Sequence, residues 1–161
     1  MSRLRLFGPV LILTAGALAL AACSGSSGTS SNSTSTGGKQ VNVAIKEWSV
    51  SASPTSVAAG SVTFSAKNNG TMNHELDVFK TDLAEGALPL SGTVVNEMAS
   101  AVTKKGEIAE FAAGTTGTVT LDLAPGKYVL ICNLPGHYQQ GIHMAFTVSA
   151  ASTGGSGGGR Y

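Results

Sequence analysis

Residues 119–132 read VTLDLAPGKYVLIC and carry the clearest periodic pattern in the chain. Apolar and polar side chains alternate over the first five positions, which is typical of a strand with one buried face. Ala-Pro-Gly at 124–126 is a turn signal, and an apolar run then leads to Cys132. The stretch therefore predicts two β-strands joined by a short turn, with a cysteine at the end of the second strand.

The same alternation recurs on both sides of this hairpin. It predicts further strands at 41–45, 62–66, 76–80, 108–111 and 144–148, and turn residues separate them at 53–54, 68–70 and 113–114. About seven short strands in one stretch of this length indicate an all-β fold, and specifically a β-sandwich.

One segment between the strands follows a helical period instead. Its apolar residues are Val94, Val95, Met98, Ala101 and Val102. Thr93 or Ser91 precedes them as an N-cap candidate. The pattern predicts one short helix inserted into the sandwich.

Composition limits the function classes. The chain has 161 residues, enough for one domain with a sizeable core. Only 12% of the residues are charged and the net charge is +1, which argues against a nucleic-acid binder, because such a protein needs a basic face to neutralise phosphates.

The N-terminus has the organisation of an export signal. Two arginines precede an apolar run at 6–22, as in a signal peptide. The alternative is a membrane-spanning anchor, but the run is short for that role, since spanning takes about 20 apolar residues. Residues 20–23 (LAAC) resemble the bacterial lipoprotein signal, in which the cysteine is lipidated and becomes the first residue of the mature chain. The resemblance implies a signal peptide at 1–22, a lipid on Cys23, and an extracytoplasmic, membrane-anchored bacterial protein.

The segments flanking the β domain have little that they can bury. Residues 24–38 are all Ser, Thr, Gly or Asn, which predicts a flexible tether over 23–38, and 151–161 form a flexible glycine-rich tail. The folded domain is then 39–150. With Cys23 lipidated, Cys132 has no disulfide partner and requires another explanation.

The segment CNLPGHYQQGIHM at 132–144 suggests that explanation. His137 follows Cys132 by five residues across a Pro-Gly turn, and His74 begins an upstream strand. One thiolate and two imidazoles form the trigonal donor set of copper electron-transfer sites. Taken singly, a strand histidine is more often a hydrogen-bonded edge residue, and a buried cysteine more often a small apolar one. Zinc is the alternative metal, although zinc sites prefer four good ligands, or three and a water.

These motifs resemble those of the cupredoxins, the blue copper family of plastocyanin and azurin. The resemblance covers 41–149 and is carried by HEL at 74–76, LAPGKY at 123–128 and CNLPGHY at 132–138. It implies a Greek-key β-sandwich with one type 1 copper ion held by His74, Cys132 and His137. It also implies that the imidazole edge of His137 is the electron port.

The axial position departs from the family pattern. A weak axial methionine usually follows the second histidine by five residues, and that position here is Ile142. Met144 lies two residues further, about 6.6 Å along a strand, so it reaches the site only through a bulge or a register shift. We therefore expect Ile142 in the axial position as a non-ligating residue, with Met144 as the alternative.

Four other residues receive structural roles. Trp48 and Met72 are predicted to be packing residues, and Met72 is close enough to His74 in the sequence to line the mouth of the site. His143 is predicted to be a solvent-facing strand residue, which a one-residue slip would turn into a ligand. Glu75 is predicted to anchor the His74 strand by a hydrogen bond of its backbone or by one from its side chain behind the ligand, a role that fixes the imidazole orientation.

The function expected from these features is a membrane-tethered, monomeric one-electron carrier that meets a redox protein at the membrane surface. Nothing in the sequence indicates an enzyme: there is no Ser-His-Asp set, phosphate-binding glycine loop or pair of carboxylates placed for acid–base chemistry. The alternative is a copper-delivery or copper-protection lipoprotein that cycles no electrons.

Overall fold

The structure is a computed structural model that describes residues 39–151. The predicted signal peptide, the predicted lipidation site at Cys23 and the predicted tether at 23–38 lie outside the described residues, and so does the predicted tail from residue 152.

The described residues form strands and turns. The strands are β1 (Lys39–Lys46), β2 (Ser49–Ser53), β3 (Ser56–Ala58), β4 (Gly60–Asn68), β5 (His74–Lys80), β6 (Leu90–Ser91), β7 (Val94–Val95), β8 (Thr103–Phe111), β9 (Thr116–Leu123), β10 (Gly126–Ile131) and β11 (His143–Ser149). Over 39–151 there is accordingly no apolar helix of the length needed to cross a membrane.

Most of the strands belong to two sheets that pack face to face. One sheet has the order β2-β1-β4-β9 and the other β3-β11-β10-β5-β8, while β6 and β7 form a separate small hairpin. Neighbouring strands are antiparallel except for β1–β4 and β3–β11, which are parallel. This architecture confirms the predicted all-β sandwich. The strands that were not predicted are β2, β3, β6 and β7, which have two to five residues each and are too short for alternation to be recognised.

Alternate side chains of both sheets form one apolar core. Its largest fully buried members include Phe64 in the first sheet and Phe146 in the second, whose rings meet edge to face with centroids 5.4 Å apart. Each large apolar side chain removed from water contributes about 1.5–3 kcal/mol. This shared core fixes the two sheets against each other, so the loops at one end of the sandwich are held in place.

The strands that lead to the predicted metal ligands are buried on both faces. The core covers one face of β5 and β10. Residues 81–102, between β5 and β8, cover the other face and are called the covering segment below. The side chains that meet on this face form a second apolar cluster, which consists of Phe79, Leu88, Val95, Val102, Val129, Ile131 and Tyr138.

The predicted helix within this covering segment is wrong. The region that follows β7 contains turns, and Met98 is 92% exposed although Val95 and Val102 are buried. The side chain of Asn133 provides the backbone pairing that a helix would supply internally: Oδ1 accepts the N–H of Val95 at 2.6 Å, and Nδ2 donates to its carbonyl at 3.2 Å. These long-range hydrogen bonds, together with the burial of Val95 and Val102, outweigh the local helical period.

Candidate metal centre

His74 lies at the start of β5, where the loop from β4 is held by a side chain. Asn68 donates from Nδ2 to the carbonyls of Met72 and Phe111 at 2.8 and 3.2 Å, and its Oδ1 accepts the N–H of Gly70 at 2.9 Å. A register shift follows His74 in its pairing with β8. The loop therefore delivers a fully buried imidazole to the end of the sandwich.

Cys132 follows β10 immediately and is also fully buried. Its N–H donates to the carbonyl of Ile142 at 3.1 Å, and its Sγ accepts the N–H of Glu75 at 3.4 Å. These two bonds fix the thiol between the strand that carries His74 and the end of the loop that carries His137.

His137 lies on a compact loop between β10 and β11. Its N–H donates to the carbonyl of Leu134 at 2.9 Å, and its own carbonyl accepts the N–H of Ile142 at 3.2 Å. Gly136 has a φ of 81°, a conformation that favours glycine. The next residue, Tyr138, joins the loop to the covering segment: its hydroxyl donates to the carbonyl of Glu85 at 2.8 Å and accepts the N–H of Leu88 at 2.9 Å.

The three predicted ligands are brought together. Sγ of Cys132 lies 3.3 Å from Nδ1 of His137 and 3.8 Å from Nδ1 of His74, and all three donor atoms lie within 4.8 Å of one another. His74 and Cys132 are 0% exposed and His137 is 7% exposed. Both imidazoles thus present Nδ1 to the thiol, which leaves each Nε2 free to carry its proton.

Burial sets the protonation of these groups in the metal-free protein. It raises the pKa of the Cys132 thiol to about 11 and is the main cause of the lowered pKa of His137, which the neighbouring His74 lowers further. The metal-free site therefore holds a thiol and a neutral His137 imidazole at neutral pH. A metal ion binds the thiolate, so loading this site releases a proton.

The donor set fits copper. A thiolate and two imidazoles match a trigonal copper site, and within 39–151 no Asp or Glu side chain joins the three donor atoms to make the fourth ligand that zinc prefers. Copper held by His74, Cys132 and His137 would be enclosed on nearly all sides by protein.

The surroundings of the axial position are apolar. Ile142 is fully buried and belongs to the main core, and Met144 is half-buried and packs against that core. The predicted solvent-facing role of His143 is wrong: the ring is half-buried against Tyr138, with centroids 5.0 Å apart, and its Nδ1 is buried.

Glu75 contacts the site through its backbone. Of the two predicted alternatives the structure has the backbone hydrogen bond, which the N–H of Glu75 donates to Sγ of Cys132. Burial is the main cause that raises the pKa of the Glu75 carboxyl to about 8, and the neighbouring carboxylate of Asp77 raises it further. Asp77 is itself fully buried, and its Oδ1 lies 2.7 Å from Nζ of Lys104. The lysine therefore compensates the charge of the Asp77 carboxylate.

The turn between β1 and β2 supplies two contacts that the sequence analysis missed. Oε1 of Glu47 lies 3.3 Å from Nε2 of His74, and the ring of Trp48 meets His137 edge-on, with centroids 5.2 Å apart. Trp48 and Met72, predicted to be packing residues, are 41% and 45% exposed. In the sequence, Glu47 and Trp48 are only an acidic and an aromatic residue in a turn. Their position near the histidines follows from the parallel pairing of β1 with β4, which the sequence does not reveal.

Several solved structures are similar to this one. Reduced auracyanin from Roseiflexus castenholzii has a TM-score of 0.51 and 19% identity, over 70% of this chain and 98% of that chain. Auracyanin B has a TM-score of 0.51 and 22% identity, over 69% of this chain and 88% of that chain. The reduced rusticyanin structure from NMR has a TM-score of 0.50 and 18% identity, over 70% and 78%. At these identities the likeness shows the fold.

A family match comes from the sequence itself. No curated protein sequence matches the chain. The family model described as the sulfocyanin (SoxE) domain, however, matches residues 17–155, which include the whole sandwich and all three donor residues. The chain therefore belongs to the sulfocyanin (SoxE) family and, through it, to the cupredoxins, whose blue copper sites bind one copper ion.

Proposed function

We propose that this protein carries single electrons between redox partners outside the cytoplasmic membrane, to which a lipid on Cys23 holds it. The observation that carries the proposal is the preformed, buried set of His74, Cys132 and His137 donor atoms. Copper bound there supplies one-electron chemistry between Cu(I) and Cu(II). The cupredoxin relatives are electron-transfer proteins, which supports the same role here.

The chain's own contribution is rigidity. The N–H groups of Cys132 and His137 are bonded within the loop, and Tyr138 ties the loop to the covering segment through two bonds of its hydroxyl. Donor atoms held in this way move little between the two oxidation states, so the reorganisation that opposes electron transfer is small.

His137 is the proposed electron port. It is the least buried of the three donor residues, and its neighbour Trp48 is exposed at the same end of the molecule. A redox protein at the membrane surface would approach this end, where the path from partner to donor is short. We propose that the carrier is monomeric and is not an enzyme.

Copper delivery or protection is the alternative function. A delivery site has to exchange its ion, and exchange needs access to the donor atoms. Here His74 and Cys132 are 0% exposed and His137 is 7% exposed, which favours retention of the ion and therefore the electron carrier.

The test is to add Cu(II) to the purified full-length chain in detergent and record visible and EPR spectra, followed by voltammetry. An electron carrier shows an intense thiolate-to-copper band and a reversible one-electron wave. The C132S variant is the matched control and should lose the band. The C23S variant should keep the band. When cells are fractionated, it should be lost from the membrane fraction in which the wild-type protein is found. A wild-type protein that binds copper without a thiolate band contradicts the proposal.

We also propose that Ile142 occupies the axial position without binding the metal. Support comes from the register of β10 and β11, which is continuous from Gly126–Val148 to Ile131–His143, so this pairing contains no bulge that would move Met144. The carbonyl of Ile142 accepts the N–H of Cys132, which keeps residue 142 next to the site. Without an axial thioether, Cu(II) is less stable relative to Cu(I), and the reduction potential is high.

Two variants distinguish the axial candidates. I142M should lower the reduction potential and change the visible spectrum, because it adds a thioether at the usual spacing. M144L should leave both nearly unchanged. A marked rise in potential in M144L, with little effect of I142M, would assign the axial position to Met144.

A further inference from the structure

The buried Nε2 of His74 faces a carboxylate from a distant part of the chain. Oε1 of Glu47 lies 3.3 Å away, and among the described residues this nitrogen has no fully aligned hydrogen-bond acceptor. His74 is 0% exposed, so water does not supply the missing partner. A buried N–H without an acceptor is costly, which makes the nearby carboxylate significant.

The Glu47 carboxylate is held in place by the backbone. Its Oε1 accepts the N–H of Met72 at 2.7 Å, and both oxygens accept the N–H of Thr71, at 2.9 and 3.2 Å. Gly70 makes room for it, because a Cβ at that position would lie 2.5 Å from Oε2. Its own backbone N–H is the main cause that lowers the pKa of Glu47 to about 2, and the N–H groups of Met72 and Thr71 lower it further. The group is therefore a fixed negative charge at neutral pH.

We propose that Glu47 is a positioning residue for the metal centre: its carboxylate accepts a hydrogen bond from Nε2–H of His74 and stabilises Cu(II) relative to Cu(I). The inference rests on the proposed copper site. A carboxylate behind a ligating histidine fixes the tautomer that presents Nδ1 and raises the basicity of the ligand. The negative charge also favours the more positive oxidation state, which opposes the effect of an axial position without a thioether.

The decisive variant is E47Q. It retains a carbonyl oxygen for the backbone N–H groups but removes the charge. The matched control is E110Q, because Glu110 is an exposed carboxylate whose Oε1 accepts a hydrogen bond from Asn73 at 2.7 Å and which influences His137 only through space. Both variants lose one negative charge, so the difference between them isolates the contact with His74.

We expect Cu(II) affinity in E47Q to fall about tenfold more than Cu(I) affinity, by the usual size of such effects. For one electron, that difference is a rise in reduction potential of about 59 mV. E110Q should change the potential much less. A second readout needs no copper: in ¹⁵N-labelled metal-free protein, the Nε2–H resonance of His74 should move in E47Q and stay in place in E110Q.

The possible failures are distinguishable. If wild-type protein forms no thiolate-to-copper band, the proposed function and this inference both fail. If wild type is blue but E47Q and E110Q have the same potential, the same Cu(II) affinity and the same His74 resonance, the inference alone is overturned. E47A is a further check, because it should raise the potential at least as much as E47Q and also lower the stability of the metal-free protein, since Thr71 and Met72 lose their acceptor.

Discussion

The indole of Trp48 stands edge-on to the imidazole of His137, with ring centroids 5.2 Å apart and an interplanar angle of 81°. The indole is 41% exposed and the imidazole is 7% exposed, so the tryptophan shields the least buried donor from water. The preceding residue, Glu47, contacts His74. One turn between two strands therefore touches both histidines of the metal centre.

Trp48→Ala should raise the pKa of His137 in the metal-free protein. Burial is the main cause that holds this pKa below its ordinary value, and removal of the indole admits water to the ring. An NMR titration of the imidazole proton measures the change. M72A is the control, since it also removes an exposed apolar side chain at this end of the sandwich. An unchanged pKa in W48A, or an equal rise in M72A, would contradict the shielding role.

Gly70→Ala should destabilise the protein by about 1–3 kcal/mol, the usual cost of overpacking. The new Cβ would lie 2.5 Å from Oε2 of Glu47. It would displace the carboxylate, which accepts hydrogen bonds from the N–H groups of Thr71 and Met72. Urea unfolding of the metal-free protein measures the loss. G86A is the control, because its Cβ would lie 3.4 Å from the nearest atom of His143. The cost of G70A should shrink in an E47A background, and an undiminished cost would show that the carboxylate is not the cause.

Asn133→Ala should lower the free energy of unfolding by about 1–3 kcal/mol, because it leaves the buried N–H of Val95 without an acceptor. N73A provides the comparison, since Asn73 is exposed and its amide donates to the exposed carboxylate of Glu110. Urea denaturation of the metal-free variants checks both. Equal effects of the two substitutions would mean that Asn133 does not hold the covering segment.

The stability of the metal-free protein should fall in acid, partly through Glu47. Its pKa is lowered from 4.5 to about 2, first by its own backbone N–H and then by that of Met72. A carboxyl with a depressed folded-state pKa stabilises the protein fully above its unfolded pKa, and this contribution is lost as pH falls toward the folded value. The difference in unfolding free energy between wild type and E47Q should therefore shrink from about pH 4.5 down to about pH 2. A difference that stays constant across this window would contradict the assignment.

The long strands and the candidate pair Cys132 and His137 were predictable because their signals are local, whereas His74 was assigned as a candidate donor through the family resemblance. Alternation over β1, β4 and β9 reports which face of each strand is buried, and it needs no knowledge of the partner strand. The spacing between Cys132 and His137 is likewise a property of a single loop. The same reasoning was wrong around Met98, where the helical period of apolar residues predicted a helix. Met98 is exposed there, and the side chain of Asn133 forms hydrogen bonds with the backbone of Val95.

By itself, the amino-acid sequence determined the sandwich class, the family motifs and the candidate copper ligands, because strand periodicity and short motifs are carried by neighbouring residues. Only the tertiary structure decided what surrounds the two histidines. Glu47 reaches His74 because β1 runs parallel to β4, with Ile45 opposite Asn68, so the turn after β1 and the loop after β4 meet at one end of the sheet. Such a meeting depends on strand pairing across the fold, and no local pattern in the sequence encodes it.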